Sequence, residues 1–104
     1  MSTAVIILAG GKGTRMKSDL PKVLHKVAGV EMVNHILNAT SSLSPEKILV
    51  IVGHGAEQVE HTVKTHTPAA RTVLQKQQLG TGHAVMQTKE ELAGFNGDVL
   101  ILCG

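Results

Sequence analysis

The sequence predicts a single α/β domain built on an open parallel sheet. Three observations carry that expectation. Four short runs of branched apolar residues recur along the chain, segments with helical spacing separate them, and a glycine-rich loop directly follows the first run. The runs are Ala4–Ala9, Ile48–Val52, Arg71–Gln75 and Asp98–Cys103. The first, second and fourth are nearly continuous Val, Ile and Leu, the pattern of parallel strands covered on both faces. After the loop, Met32, Val33, Ile36, Leu37 and Thr40 fall on one stripe of a helix. Ala56, Val59 and Val63 repeat at intervals of three and four. So do His83, Met86 and Gln87, in a segment running to Leu92. Strands alternating with helices call for right-handed crossovers in a sheet of about four parallel strands. Pro21, Pro45 and Pro68 fall outside every proposed element.

Size and composition remove several function classes. A chain of 104 residues holds one domain at most. It can bury roughly two-thirds of the surface its unfolded form exposes. Hydrophobic residues at 42% are too many for a disordered chain. A formal charge of +2 does not call for nucleic acid or an anionic membrane. Phe95 is the only aromatic residue besides the histidines, so a platform for stacking bases is missing and no nucleic-acid partner is expected. The run Ala4–Ala9 is too short for a membrane span or a signal peptide, and no membrane partner is expected either. Cys103 is the only cysteine, which fits a cytoplasmic setting; it is expected as a small buried hydrophobe rather than a nucleophile. The given sequence stops at Gly104, at the carboxyl end of the fourth strand, with no helix after it to cover that strand. The expectation is a piece of a longer protein, incomplete at its C-terminus.

The chemistry is concentrated in Leu8-Ala9-Gly10-Gly11-Lys12-Gly13-Thr14-Arg15-Met16. Ligands of open α/β sheets bind beyond the carboxyl ends of the strands, where this loop lies. Three glycines in four positions let backbone N–H groups approach a polyanion. Lys12 and Arg15, followed by Lys22 in Pro21-Lys22, add the positive charge a triphosphate requires. Two better-known phosphate loops do not match. A Walker A loop needs Gly-Lys followed by Ser or Thr, whereas Lys12 precedes Gly13. The dinucleotide fingerprint needs a third glycine where Met16 stands.

This loop with Pro21-Lys22 resembles the signature of the nucleotide-sugar pyrophosphorylases. A second block, Leu74-Gln75-Lys76-Gln77-Gln78-Leu79-Gly80-Thr81-Gly82-His83-Ala84, is similar more narrowly to the bacterial N-acetylglucosamine-1-phosphate uridyltransferases. Ser18–His25 and Val52-Gly53-His54-Gly55 extend the resemblance over essentially the whole chain. It implies the Rossmann-like nucleotide-diphospho-sugar transferase fold, with residues 1–104 as the nucleotide-binding N-terminal part. It also implies transfer of UMP from UTP to N-acetylglucosamine 1-phosphate, a cell-wall precursor step that releases pyrophosphate. On that basis Leu8, Ala9, Gly10, Gly11, Gly13 and Thr14 line the nucleotide. Arg15 and Lys22 are the catalytic candidates, set on the phosphates to offset charge that builds during attack on the α-phosphorus. Gln75 reads the uracil edge, because an amide both donates and accepts. Gly80 and Thr81 add backbone and hydroxyl contacts to the base.

The same resemblance implies Mg²⁺, held by an Asp expected just beyond Gly104, so no metal ligand is expected within the chain. The sugar-binding half and any acetyltransferase domain are likewise expected outside it. These residues alone are therefore expected to hold UTP without transferring UMP. Full-length members of the family oligomerise; the sequence leaves this chain's state open. Gly10 stands where the uridyltransferases often have Ala. Two alternatives stay open: a non-catalytic nucleotide-binding module, and a nucleotidyltransferase for another sugar phosphate or base.

Other residues carry less. The histidines at 25, 35, 54, 61, 66 and 83 include no pair at the i, i+4 spacing of a helical zinc site, and His61 and His66, five apart, fall on different helix faces. His83 is expected in the turn opening a helix. A general base is unneeded, because a phosphate nucleophile is already ionised at neutral pH. Lys89, Glu90 and Glu91 read as a solvated helix face.

Overall fold

The computed structural model describes residues 2–10, 20–75 and 81–103, with the backbone alone for Thr81. In chain order it contains β1 (Thr3–Leu8), a 3₁₀ turn (Lys22–Leu24), β2 (Lys26–Val27), β3 (Val30–Glu31), α1 (Met32–Ser41), β4 (Lys47–Val52), α2 (Ala56–His66), β5 (Arg71–Leu74), α3 (Thr81–Met86) and β6 (Asp98–Cys103). Four strands form one parallel sheet in the order β5-β4-β1-β6. The four apolar runs are these four strands, shifted by at most one residue at either end.

The strand order follows from where apolar surface must go. β1 and β4 are central, and Ala4, Val5, Ile6, Ile7, Val50 and Ile51 have no exposed surface. Alternate residues of these strands feed two cores. Val5, Ile7, Val50 and Val52 pack with Val33 and Leu37 of α1 and Val59 and Val63 of α2. Ile6 and Ile51 face the other way, onto Ala84, Val85 and Leu92. Helices α1 and α2 thus cover one face, and α3 with the turns after it covers the other. The crossover leaving β1 and the one arriving at β6 run on opposite faces. The carboxyl ends of these neighbouring strands are therefore a topological switch point, where open α/β sheets bind ligands.

Three expectations need correction. The stripe His83, Met86 and Gln87 is not the buried face of the third helix: Met86 is 69% exposed, while Ala84 and Thr88 are buried. The helix stops at Met86, and the chain continues in tight turns with i→i+3 bonds (Gln87 N–H to Ala84 O, 3.1 Å; Thr88 N–H to Val85 O, 3.0 Å). Lys89 and Glu90 are exposed in those turns. Glu91 is not merely solvated: its carboxylate accepts from Arg71 at 2.8 Å and its carbonyl accepts from Lys47 Nζ at 2.7 Å. These contacts tie the turns to β4 and β5. Finally, Cys103 is exposed. It sits on edge strand β6, where Val99, Leu100 and Ile101 are also exposed, as expected of a strand with no helix after it to cover it.

A feature without a sequence-level expectation is the hairpin β2–β3, whose two turn residues, Ala28 (φ 53°) and Gly29 (φ 82°), are both left-handed. That is the twist a two-residue hairpin requires. Among the described residues no helix is long and apolar enough to cross a membrane.

Candidate nucleotide site at the strand ends

The backbone at the carboxyl end of the sheet is stitched across its strands. Ala9 N–H donates to Ile51 O at 2.8 Å, and Gln75 N–H donates to Val52 O at 2.8 Å. His54 N–H lies 3.4 Å from Gly10 O. The segments following β1, β4 and β5 are therefore side by side at one edge. Leu8 is half-buried, and Ala9 and Gly10 are buried at the start of the loop.

Lys22 reaches this edge by a packing device. Pro21 is fully buried, and Val23 and Leu24 are buried in the core against α1 and α2. In the 3₁₀ turn closed by Leu24 N–H to Pro21 O (2.9 Å), those anchors leave Lys22 exposed to solvent. The Pro21 ring lies against Gly55, the N-cap of α2, which has φ +65°. A Cβ on Gly55 would stand 2.3 Å from Pro21 Cγ, so only glycine leaves room for the ring. Gly55 thereby positions Lys22 from 33 residues away in the chain. Its role was not legible in Val52-Gly53-His54-Gly55, which carries a glycine after a strand but not the partner that glycine must admit.

Gln75, the candidate base reader, is 4% exposed at the end of β5. Its amide nitrogen stands 3.1 Å from His83 Nδ1, on the first turns of α3. Gly10, Lys22 and Gln75 thus share the carboxyl edge of the sheet. Gly11, Gly13, Thr14, Arg15 and Gly80, together with Lys12, lie outside the described residues, as does the side chain of Thr81.

Other histidines act as tethers. His35 Nε2 meets Val27 O at 2.6 Å and joins α1 to the hairpin. His66 joins Asn38 Oδ1 (2.9 Å) and Thr67 Oγ1 (2.7 Å). Although five apart, His61 and His66 both border one shallow hollow between α1 and α2. Among the described residues no group of three or more His, Cys, Asp or Glu could hold a metal ion. Asp98 pairs in register with Thr3 at the amino end of the sheet, whereas Cys103 pairs with Leu8 at the loop end. The described residues therefore do not form a set fitted to Mg²⁺, and the groups with which they can meet a nucleotide are backbone N–H, the Lys22 cation and the Gln75 amide.

Comparison with known proteins bears on the family and the fold. Residues 5–103 match the family described as the MobA-like NTP transferase domain. The whole chain is 54% identical to part of the "Bifunctional protein GlmU" of Ruegeria sp. (strain TM1040), covering 23% of that protein. It is 52% identical to part of the protein of the same name from Streptococcus equi subsp. zooepidemicus (strain ATCC 35246 / C74-63), covering 22%. The chain thus spans under a quarter of the length of these curated relatives. Among solved structures, the CTP:phosphocholine cytidylyltransferase LicC of Streptococcus pneumoniae superposes with a TM-score of 0.79 at 23% identity, over 97% of this chain and 44% of that one. At that identity the likeness establishes the fold, which is the nucleotide-diphospho-sugar transferase fold.

Proposed function

We propose, on the premise that the chain belongs to the MobA-like NTP transferase domain family, that it is the nucleotide-holding part of a uridylyltransferase. The enzyme it belongs to transfers UMP from UTP to N-acetylglucosamine 1-phosphate. The observation that carries this is the convergence of Gly10, Lys22 and the Gln75 amide on the carboxyl edge of one parallel sheet, beside its switch point. Relatives named GlmU at about half identity support the choice of reaction within the family.

In this proposal the backbone after β1 meets the triphosphate, and Lys22 and Arg15 bear on its oxygens. The sugar phosphate oxygen attacks the α-phosphorus, the bond from that phosphorus to the bridging oxygen of the β-phosphate breaks, and pyrophosphate leaves with the electron pair. No proton need be abstracted, because the attacking phosphate is already ionised. Lys22 and Arg15 stabilise charge that shifts onto the phosphate oxygens. The setting proposed is the cytoplasm.

Base selectivity tests the proposal. The chain should bind UTP more tightly than CTP, because cytosine inverts the donor and acceptor pattern that a fixed amide reads. It should also prefer UTP over ATP, whose purine would crowd a site sized for uracil. One mismatched buried polar group costs about 1–3 kcal/mol, or roughly five- to 150-fold in affinity. Isothermal calorimetry with UTP and CTP measures this, and equal affinities would remove the role given to Gln75.

A further inference from the structure

The turn that presents Lys22 is bonded on both sides by one residue. We propose that His25 is a positioning residue that clasps this turn and so holds Lys22 toward the phosphates of the nucleotide; this rests on the reading of Lys22 as a phosphate contact.

The anchors of the turn are uneven. On its exit side Val23 and Leu24 are both buried in the core. On its entry side the Pro21 ring is buried, but Leu20 before it is 39% exposed. The peptide joining Leu20 to Pro21 has no N–H, so its carbonyl is the one polar handle it offers. His25 Nε2 lies 3.3 Å from that carbonyl oxygen. A carbonyl oxygen can only accept, so the imidazole donates here and Nε2 carries the hydrogen. The charged ring also carries a hydrogen on Nε2, so the direction of this bond is the same in both states.

The backbone of His25 completes the clasp. Its N–H donates to Lys22 O at 3.2 Å, and its carbonyl accepts from Met32 N–H at 2.9 Å. Met32 is the first residue of α1, and the next residue, Val33, is buried in the same core as Val23 and Leu24. His25 itself is half-buried and extended (φ −65°, ψ 139°), where it ends the 3₁₀ turn. One residue is thus bonded to the peptide entering the turn, to Lys22 and to the start of a core helix. The Lys22 side chain is exposed on a flexible four-carbon stem, so what the fold can fix is where that stem begins. Without the side-chain bond the entry side is freed, and nucleotide binding must restore the lost order at a cost in affinity. His25 touches no substrate in this scheme.

Calorimetry with UTP on wild type, His25→Ala, His25→Gln, Lys22→Ala and the double variant His25→Ala/Lys22→Ala tests this. His25→Ala should lower UTP affinity by about fivefold, the scale of one neutral hydrogen bond. His25→Gln keeps an N–H donor near the place of Nε2 and should bind close to wild type. In the Lys22→Ala background the loss from His25→Ala should vanish, because a residue acting through Lys22 has nothing left to position. Losses that simply add in the double variant would make His25 merely structural and overturn the proposal. Wild-type affinity in His25→Ala would overturn it as well, as would a His25→Gln protein as weak as His25→Ala. If His25→Ala does not fold, His25→Phe, which keeps a ring without its N–H, takes its place in the same cycle with the same outcomes. Wild-type affinity in Lys22→Ala alone would instead remove the reading of Lys22, and this proposal with it.

Discussion

Arg15→Ala, made in a full-length enzyme carrying this sequence, is expected to lower turnover by about a hundredfold or more, well beyond its effect on nucleotide affinity. A donor aimed at charge that builds in the transition state lowers the barrier by about 3–4 kcal/mol and adds less to ground-state binding. In the proposed function Arg15, which follows three glycines in the sequence, is the group assigned to that charge. Lys22→Ala should behave differently. Lys22 is presented by a turn anchored in the core, and in the proposed function it meets the nucleotide before and during reaction, so affinity and turnover should fall together. Steady-state kinetics on both variants separates the two roles. Near-normal turnover in Arg15→Ala would make that residue structural.

Gly55→Ala is expected to damage stability and nucleotide binding at once. The left-handed backbone at φ +65° costs a residue with a Cβ about 1–2 kcal/mol. The clash with the buried Pro21 ring adds about 1–3 kcal/mol of overpacking. Together these should lower the Tm by about 10 °C or more for a domain of this size. Relief of the clash moves Pro21, and Lys22 moves with it, so UTP affinity should drop by about tenfold, the scale of one charge-assisted contact. Gly29→Ala is the control. Gly29 is also left-handed, at φ +82°, but nothing lies within 4 Å of the added Cβ. It should lose only the backbone contribution and leave UTP binding unchanged. Thermal melts with calorimetry check both variants, and a Gly55→Ala protein as stable as Gly29→Ala would contradict the packing role.

What was legible in the sequence follows from how local each signal is. β1 and β4 are buried on both faces, and such strands announce themselves as continuous apolar runs. The stripes of α1 and α2 were legible because each helix runs ten residues or more against the sheet. The hairpin Lys26–Glu31 was not, since two-residue strands have no period to detect. Helix α3 spans only six residues, too short for its spacing to separate the face carrying Ala84 from the one carrying Met86. Cys103 was misjudged because an apolar run does not distinguish a central strand from an edge. In the site, the glycines and cations stand together in the sequence as a local motif, most of it outside the described residues. The fit of Pro21 onto Gly55 and the contact of Gln75 with His83 were not legible, because each depends on which segments the fold brings side by side.

The central claim is that the carboxyl edge of this sheet holds a uridine nucleotide, and titration of UTP into the isotopically labelled chain, followed by amide chemical shifts, tests it most directly. The expected result is saturable shifts at Gly10, Lys22, Gln75 and His83, with the amides bordering the hollow between α1 and α2 unmoved. Shifts confined to that hollow, or none at the strand ends at saturating UTP, would contradict the account.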